Sequence, residues 1–236
     1  MSLLEVNLVS KRFGGLTANQ DVSFNVEAGQ VVGLIGPNGA GKTTMFNCVA
    51  GFFAPTSGSI VLGGRDIAGL TPEACARAGV ARTFQIARTF TSMTACENVM
   101  TAAMLLEHNV TRARAMAMEW LAFARLEQFA DRPAAGMTIS EQRRLAVARA
   151  LATQPKILLM DEVMAGLNPS EVREAVDVVL QIRDSGIACL IVEHVLEGIM
   201  PIADKIVVLD RGVKIAEGTP QEVSSDPVVI TAYLGD

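Results

Sequence analysis

The stretch with the most chemistry in it is Gly36-Pro37-Asn38-Gly39-Ala40-Gly41-Lys42-Thr43-Thr44. Its spacing, G-x-x-x-x-G-K-[ST], is that of a phosphate-binding loop. Glycines at 36, 39 and 41 let the backbone bend around a polyphosphate with its N–H groups turned inward. A helix opening at the end of the loop adds the positive end of its dipole. Lys42 then reaches the outer phosphates, and the Thr43 hydroxyl is placed to ligate Mg²⁺. A second stretch, Ile157-Leu158-Leu159-Met160-Asp161-Glu162, is an apolar run ending in two carboxylates, the form of a Walker B strand. Asp161 can hold Mg²⁺ through water, because magnesium keeps several of its waters. Glu162 can take a proton from water attacking a γ-phosphate. Alone, such a pair reads equally well as a helix cap; after a phosphate loop, ATP hydrolysis is the better reading.

These groups need elements to hold them. Apolar residues 30–35 predict a buried strand leading into the loop, and 43–50 a helix leaving it. Residues 3–9 and 22–26 alternate at period two, as half-exposed strands do, and 59–62 predict another strand. This is a mixed sheet with a β-rich edge. From 86 to 138 alternation gives way to Ala, Met and Leu at helical spacing, over 97–108 and 112–129. We read 86–138 as an inserted helical lobe, with 1–85 and 139–236 forming the nucleotide-binding core. Met93, Met100, Met104, Met116 and Met118 in that lobe suit an adaptable docking surface, and suit a plain helical core as well. A strand-helix rhythm then returns: helix 140–153, strand 156–161, helix 169–184 with Pro169 in its first turn, strand 187–192. A hairpin over 204–216 and a short amphipathic tail over 227–234 follow.

The composition narrows the function classes. Half of the 236 residues are apolar, yet no uninterrupted apolar run approaches the 18 residues of a membrane span. The N-terminus lacks the pattern of a signal peptide. The apolar excess therefore predicts a docking face for a partner in addition to a core. A net charge of −5, with no basic block, argues against nucleic acid as the main ligand. Cys48, Cys75, Cys96 and Cys189 are scattered, which fits reduced, buried thiols of a cytosolic protein.

Phe13, the phosphate loop, Gln85, the Arg-rich stretch 143–149, Asp161-Glu162 and His194 follow one another in a fixed order. In this order the chain resembles, over essentially its whole length, the ATP-binding subunits of ABC transporters. The resemblance implies an α/β P-loop ATPase fold, ATP and Mg²⁺ as cofactors, and Phe13 stacked on adenine. It also implies that Gln85 touches Mg²⁺ and links the lobe to a membrane subunit, and that His194 contacts the γ-phosphate. Phe13-Gly14-Gly15-Leu16, Arg82-Thr83-Phe84-Gln85, Ala165-Gly166-Leu167-Asn168-Pro169, Val192-Glu193-His194 and Ala232-Tyr233-Leu234-Gly235 look like the branch that imports branched-chain (hydrophobic) amino acids. By resemblance, the subunit dimerises head to tail around two ATPs on the cytoplasmic face of the membrane. Two transmembrane permease subunits sit above it, served by an extracytoplasmic binding protein.

The sequence departs from the family pattern at the signature, Leu-Ser-Gly-Gly-Gln. It reads here as Met137-Thr138-Ile139-Ser140-Glu141, or, in a second alignment, as 139–144 with both glycines deleted. Thr138 or Ser140 still offers a hydroxyl to a nucleotide on the partner, and the following helix still offers its N-terminus. Glu141 adds a negative charge, whose repulsion at ~5 Å from a phosphate charge in an effective dielectric near 20 is about 3 kcal/mol. Val163 replaces a common Pro, and Asn168 stands where many relatives have Asp. These departures predict a heterodimer with a paralogous ATPase subunit more readily than a homodimer. Uptake of another solute, such as amides or urea, is the alternative within the family; a P-loop kinase and a DNA-repair ATPase are rivals from outside it.

Overall fold

The computed structural model describes residues 2–83, 89–162, 164, 166–193 and 196–234. The chain opens with a long hairpin, β1 (Ser2–Phe13) and β2 (Leu16–Glu27), turning where Phe13 pairs with Leu16. Leu4, Val6, Val22, Phe24 and Val26 are buried along it. β3 (Val31–Ile35) is buried at every residue, as a strand covered on both faces must be. It runs into the phosphate loop, from which α1 (Lys42–Val49) departs. β4 (Ser57–Leu62) and β5 (Arg65–Asp66) return to the hairpin and complete an antiparallel sheet in the order β2–β1–β4–β5.

α2 (Pro72–Ala78) leads to β6 (Val80–Arg82), and then come α3 (Ala95–Ala103) and α4 (Val110–Phe123) of the helical region. α5 (Ile139–Leu151), β7 (Ile157–Asp161), α6 (Pro169–Asp184) and β8 (Ala188–Val192) restore the alternating rhythm. α7 (Leu196–Ile199), β9 (Lys205–Asp210), β10 (Val213–Gly218), α8 (Pro220–Ser225) and α9 (Pro227–Leu234) complete the order. The second sheet runs β10–β9–β3–β8–β7–β6 and is parallel except for its β9–β10 edge. In such open α/β sheets ligands bind beyond the carboxyl ends of the strands. The phosphate loop follows β3, and Asp161 ends β7 with Glu162 just beyond it, so both motifs lie at that edge.

Helix ends were set by caps more than by periodicity. α3 begins two residues before the periodic stretch because Thr94 and Glu97 form a reciprocal capping box. α4 stops at Phe123, well short of 129, where Arg125 turns to a left-handed φ of 55°. α6 spans the predicted residues, with Asn168 as its cap and Pro169 in the first turn. α2, β6, α7 and α8 were not anticipated; each is shorter than eight residues and gives little periodic signal.

Two apolar clusters fill the space on either side of the parallel sheet, one beneath the antiparallel sheet and α1, the other beneath α6. A third holds the helical region together: Ala95, Cys96, Val99, Ala113, Ala117 and Leu121 meet Leu145 and Ala148 of α5. α5 therefore straddles the two regions, since Ala150 and Leu151 pack under the parallel sheet. Met100, Met116 and Met118 are partly buried on the third cluster, whereas Met93 and Met104 are exposed. All four cysteines are buried and free. Burial pushes the Cys48 thiol up to about 11 and the Cys189 thiol up to about 12.

The phosphate loop is fixed by close approach to the sheet. A Cβ on Gly36 would stand 2.0 Å from the Leu209 carbonyl oxygen of β9. One on Gly41, at a φ of 96°, would stand 2.4 Å from the Ala18 carbonyl oxygen. No rotamer relieves a backbone clash, so Gly36→Ala is expected to cost more than about 2 kcal/mol of stability. Chemical denaturation of the two proteins measures it, and a loss below about 0.5 kcal/mol would show that the loop is not clamped to β9.

Candidate nucleotide site

Lys42 is the centre of the loop. Its side chain folds back so that Nζ donates to the Gly36 carbonyl at 2.7 Å and the Pro37 carbonyl at 2.9 Å. Only 5% of the residue is exposed. Burial holds its pKa below the usual lysine value, while the charge of Glu162 pulls it the other way. Gly39 and Asn38 form the exposed tip, while Ala40 is buried. Behind the loop, the buried Asn19 of β2 donates from Nδ2 to the Gly41 carbonyl, and Gly212 N–H donates to the Ala40 carbonyl. The loop thus rests on β2 and on the β9–β10 turn. Asn19 gave no sequence signal, because its role depends on a contact 22 residues away.

Thr43 is exposed and Thr44 half-buried in the first turn of α1. Asn47, one turn further, shares the Thr43 face of the helix. The Arg82 guanidinium joins that face to Asp161: Nη1 donates to Asn47 Oδ1 at 2.5 Å and Nη2 to Asp161 Oδ2 at 2.9 Å. The Thr43 hydroxyl and the Asp161 carboxylate are therefore brought to one side of the loop. Their oxygen donors suit a hard cation such as Mg²⁺, held by few protein ligands and otherwise by phosphate and water.

Glu162 has a left-handed backbone, φ 49°, and its N–H donates to the Val192 carbonyl of β8. For a residue with a Cβ this conformation costs roughly 1–2 kcal/mol, the kind of strain concentrated at functional sites. Met164 N–H donates to the fully buried Glu193 carboxylate at 2.7 Å, tying the chain beyond Glu162 to the end of β8. Gln85 and His194, predicted to face the metal and the γ-phosphate, lie outside the described residues.

Phe13 lies at the tip of the β1–β2 hairpin, whose second strand supports the loop through Asn19. It is 42% exposed at the hairpin tip, edge-on to Phe53 at 5.2 Å, with the Lys11 ammonium 4.9 Å from its ring centre. The signature residues stand at the start of α5. Thr138 is the N-cap: its hydroxyl accepts from Glu141 N–H, and the Glu141 carboxylate accepts from Thr138 N–H at 2.7 Å. Thr138, the second residue of the alignment over 137–141, is thus the residue that caps the helix. Glu141 is held below the usual carboxylate range by that Thr138 N–H and by nearby Arg132, at 3.8 Å. Its charge is turned back on its own helix and partly compensated, so the repulsion anticipated for a bound phosphate is reduced. Ile139, by contrast, projects with 73% exposure where the signature has its first glycine.

A glycine loop wrapped around a lysine at the end of a parallel strand, with two carboxylates at the end of the next strand but one, defines a P-loop ATPase. The antiparallel sheet at one edge and the helical region between β6 and β7 are those of an ATP-binding cassette. The chain belongs to the ABC transporter family, whose model matches residues 19–165. The model described as branched-chain amino acid ATP-binding cassette transporter matches residues 213–236. Among curated proteins the chain is 42% identical to the high-affinity branched-chain amino acid transport ATP-binding protein BraF of Pseudomonas aeruginosa, over 99% of this chain and 98% of BraF. It is 40% identical to LivG of Escherichia coli, which carries the same description, over 99% and 98%. It is 33% identical to LptB of Escherichia coli, a lipopolysaccharide export system ATP-binding protein, over 100% and 98%. Among solved structures, the ADP conformation of MJ1267, an ATP-binding cassette of an ABC transporter, superimposes with a TM-score of 0.90 at 30% identity, over 100% of both chains.

The strain at Glu162 is separable from its chemistry. Glu162→Gly is expected to be more stable than Glu162→Ala by about 1 kcal/mol, because only glycine adopts this φ freely. Thermal melting of the pair checks it; equal stability would place no strain at this residue.

Proposed function

We propose that this chain is the ATP-hydrolysing motor subunit of an importer for branched-chain or other hydrophobic amino acids. The observation that carries the reading is the near-complete coverage at 42% identity to BraF, together with the separate match of residues 213–236 to the branched-chain family. In this reading residues 36–44 wrap the ATP phosphates with Lys42 as their main cation. Thr43 and Asp161 hold Mg²⁺, joined by Gln85. Glu162 takes the proton of the attacking water while His194 contacts the γ-phosphate, and Phe13 stacks on adenine. Thr138 and Ser140 serve the nucleotide held by a second ATPase subunit.

Residues 86–138 form the lobe that faces the transmembrane permease subunits at the cytoplasmic side of the membrane. An apolar groove of about 370 Å³ between lobe and core, lined by Phe52, Arg82, Phe90, Thr101 and Arg149 among others, supports that placement. Among the described residues no helix is long and apolar enough to cross a membrane. An extracytoplasmic binding protein delivers the solute. The exposed Ile139 obstructs close approach of a partner's phosphate, so the working dimer pairs this chain with a paralogue bearing an intact signature, in preference to itself. The catalytic face is then this chain's own loop and Glu162.

Reconstitution with candidate permease, paralogue and binding protein tests the reading through solute-stimulated ATP turnover. Leucine, isoleucine or valine should stimulate it, and Lys42→Ala should abolish it. Glu162→Gln in this chain alone should lower it by about 10²–10⁴, the range for losing a general base. Stimulation by amides, urea or a lipid cargo but not by those amino acids would overturn the solute assignment. Equal loss from the paralogue's equivalent substitution would overturn the asymmetry.

A further inference from the structure

Arg82 ends β6 opposite Leu159 of β7, two residues before Asp161. A guanidinium is charged at every accessible pH, so a poorly exposed one must be satisfied where it stands. The Arg82 side chain is only 12% exposed, and among the described residues Asp161, Asn47 and two aromatic rings hold it. Asp161 Oδ2 supplies the counter-charge at 2.9 Å and Asn47 Oδ1 a second acceptor at 2.5 Å. The rings of Phe46 and Phe52 lie 4.8 and 5.2 Å from the guanidinium carbon, within range of a cation–π contact. Charge, hydrogen bond and ring faces therefore fix one position for the group.

We propose that Arg82 is a positioning residue for the metal: its fork holds Asp161 in the orientation that accepts hydrated Mg²⁺ beside the Thr43 face of α1. The inference rests on the reading of Asp161 and Thr43 as metal holders. A carboxylate offers about four acceptor positions, and one oxygen bound to Arg82 leaves Oδ1 to the metal's waters. With Oδ2 pinned, the carboxylate cannot rotate away, and Asn47 keeps the pinned group in register with α1. The same guanidinium lines the groove between core and lobe alongside Phe52 and Phe90. One side chain thus spans from the surface proposed to face the permease to the carboxylate proposed to hold the metal.

Two effects of Arg82 oppose each other. Orientation of an outer-sphere partner is worth typically 10–100-fold in metal affinity. Its positive charge, 2.9 Å from Asp161, repels a dication. The pair is partly buried and geometrically fixed, so orientation is expected to win, and the experiment reads the sign directly. In a Glu162→Gln background, where hydrolysis is suppressed, a fluorescent ATP analogue is titrated without metal and then with increasing Mg²⁺. Arg82→Gln should leave metal-free nucleotide affinity within about threefold while raising the half-saturating Mg²⁺ roughly 10–100-fold. Arg82→Lys keeps the charge but not the fork, so it should fall between, and it carries the test if Arg82→Gln does not fold. Unchanged or tighter Mg²⁺ dependence in the variants would overturn the positioning role. So would an equal loss of metal-free nucleotide affinity, which marks a purely structural part. If the parent protein shows no Mg²⁺ effect at all, the metal reading of Asp161 fails and this inference fails with it.

Discussion

The arrangement that everything else serves is the curl of the loop around Lys42. A buried ammonium is costly unless its protons are satisfied. Here the Gly36 and Pro37 carbonyls accept two of the three, and in doing so they fix the curvature of the loop. That curvature requires Gly36 to lie against the Leu209 carbonyl and Gly41 against Ala18, contacts that no side chain allows. These in turn require β9 beside β3 and the antiparallel hairpin behind the loop. Sheet order, glycine positions and lysine solvation are one constraint seen from three sides.

A second layer of contacts places the carboxylates. β7 is separated from β3 by β8, so Asp161 and Glu162 approach the loop without touching its strand. Glu162 is aimed by a left-handed backbone and by its N–H bond to Val192. Asp161 is aimed by Arg82, and the chain beyond is tied down by Glu193. These supports come from β6 and from the end of β8, on either side of β7, so the geometry depends on the parallel sheet being intact.

The parts of this architecture legible in the sequence were those with local signals. The loop spacing, the β3 and β7 runs, Pro169 at the start of α6 and the terminal hairpin all follow from residues close together in the chain. What escaped were contacts set by tertiary proximity: Asn19 under Gly41, Arg82 across to Asp161, and Glu193 to Met164. The signature region was legible as a departure but not in its consequence. Glu141 reads as a repulsive charge in sequence, whereas the capping box with Thr138 turns it away. α5 likewise reads as part of the nucleotide core; its Ala150 and Leu151 pack under the parallel sheet, while Leu145 and Ala148 pack with α3 and α4.

The central claim is that residues 36–44 are a polyphosphate cradle built around Lys42. Amide hydrogen exchange with and without MgATP tests it directly, because backbone N–H groups that close on phosphates exchange more slowly. The account predicts strong nucleotide-dependent protection across 36–44 in the full chain, and none in Lys42→Ala at the same nucleotide concentration. Protection confined to other segments, or protection of the loop that survives loss of Lys42, would contradict it.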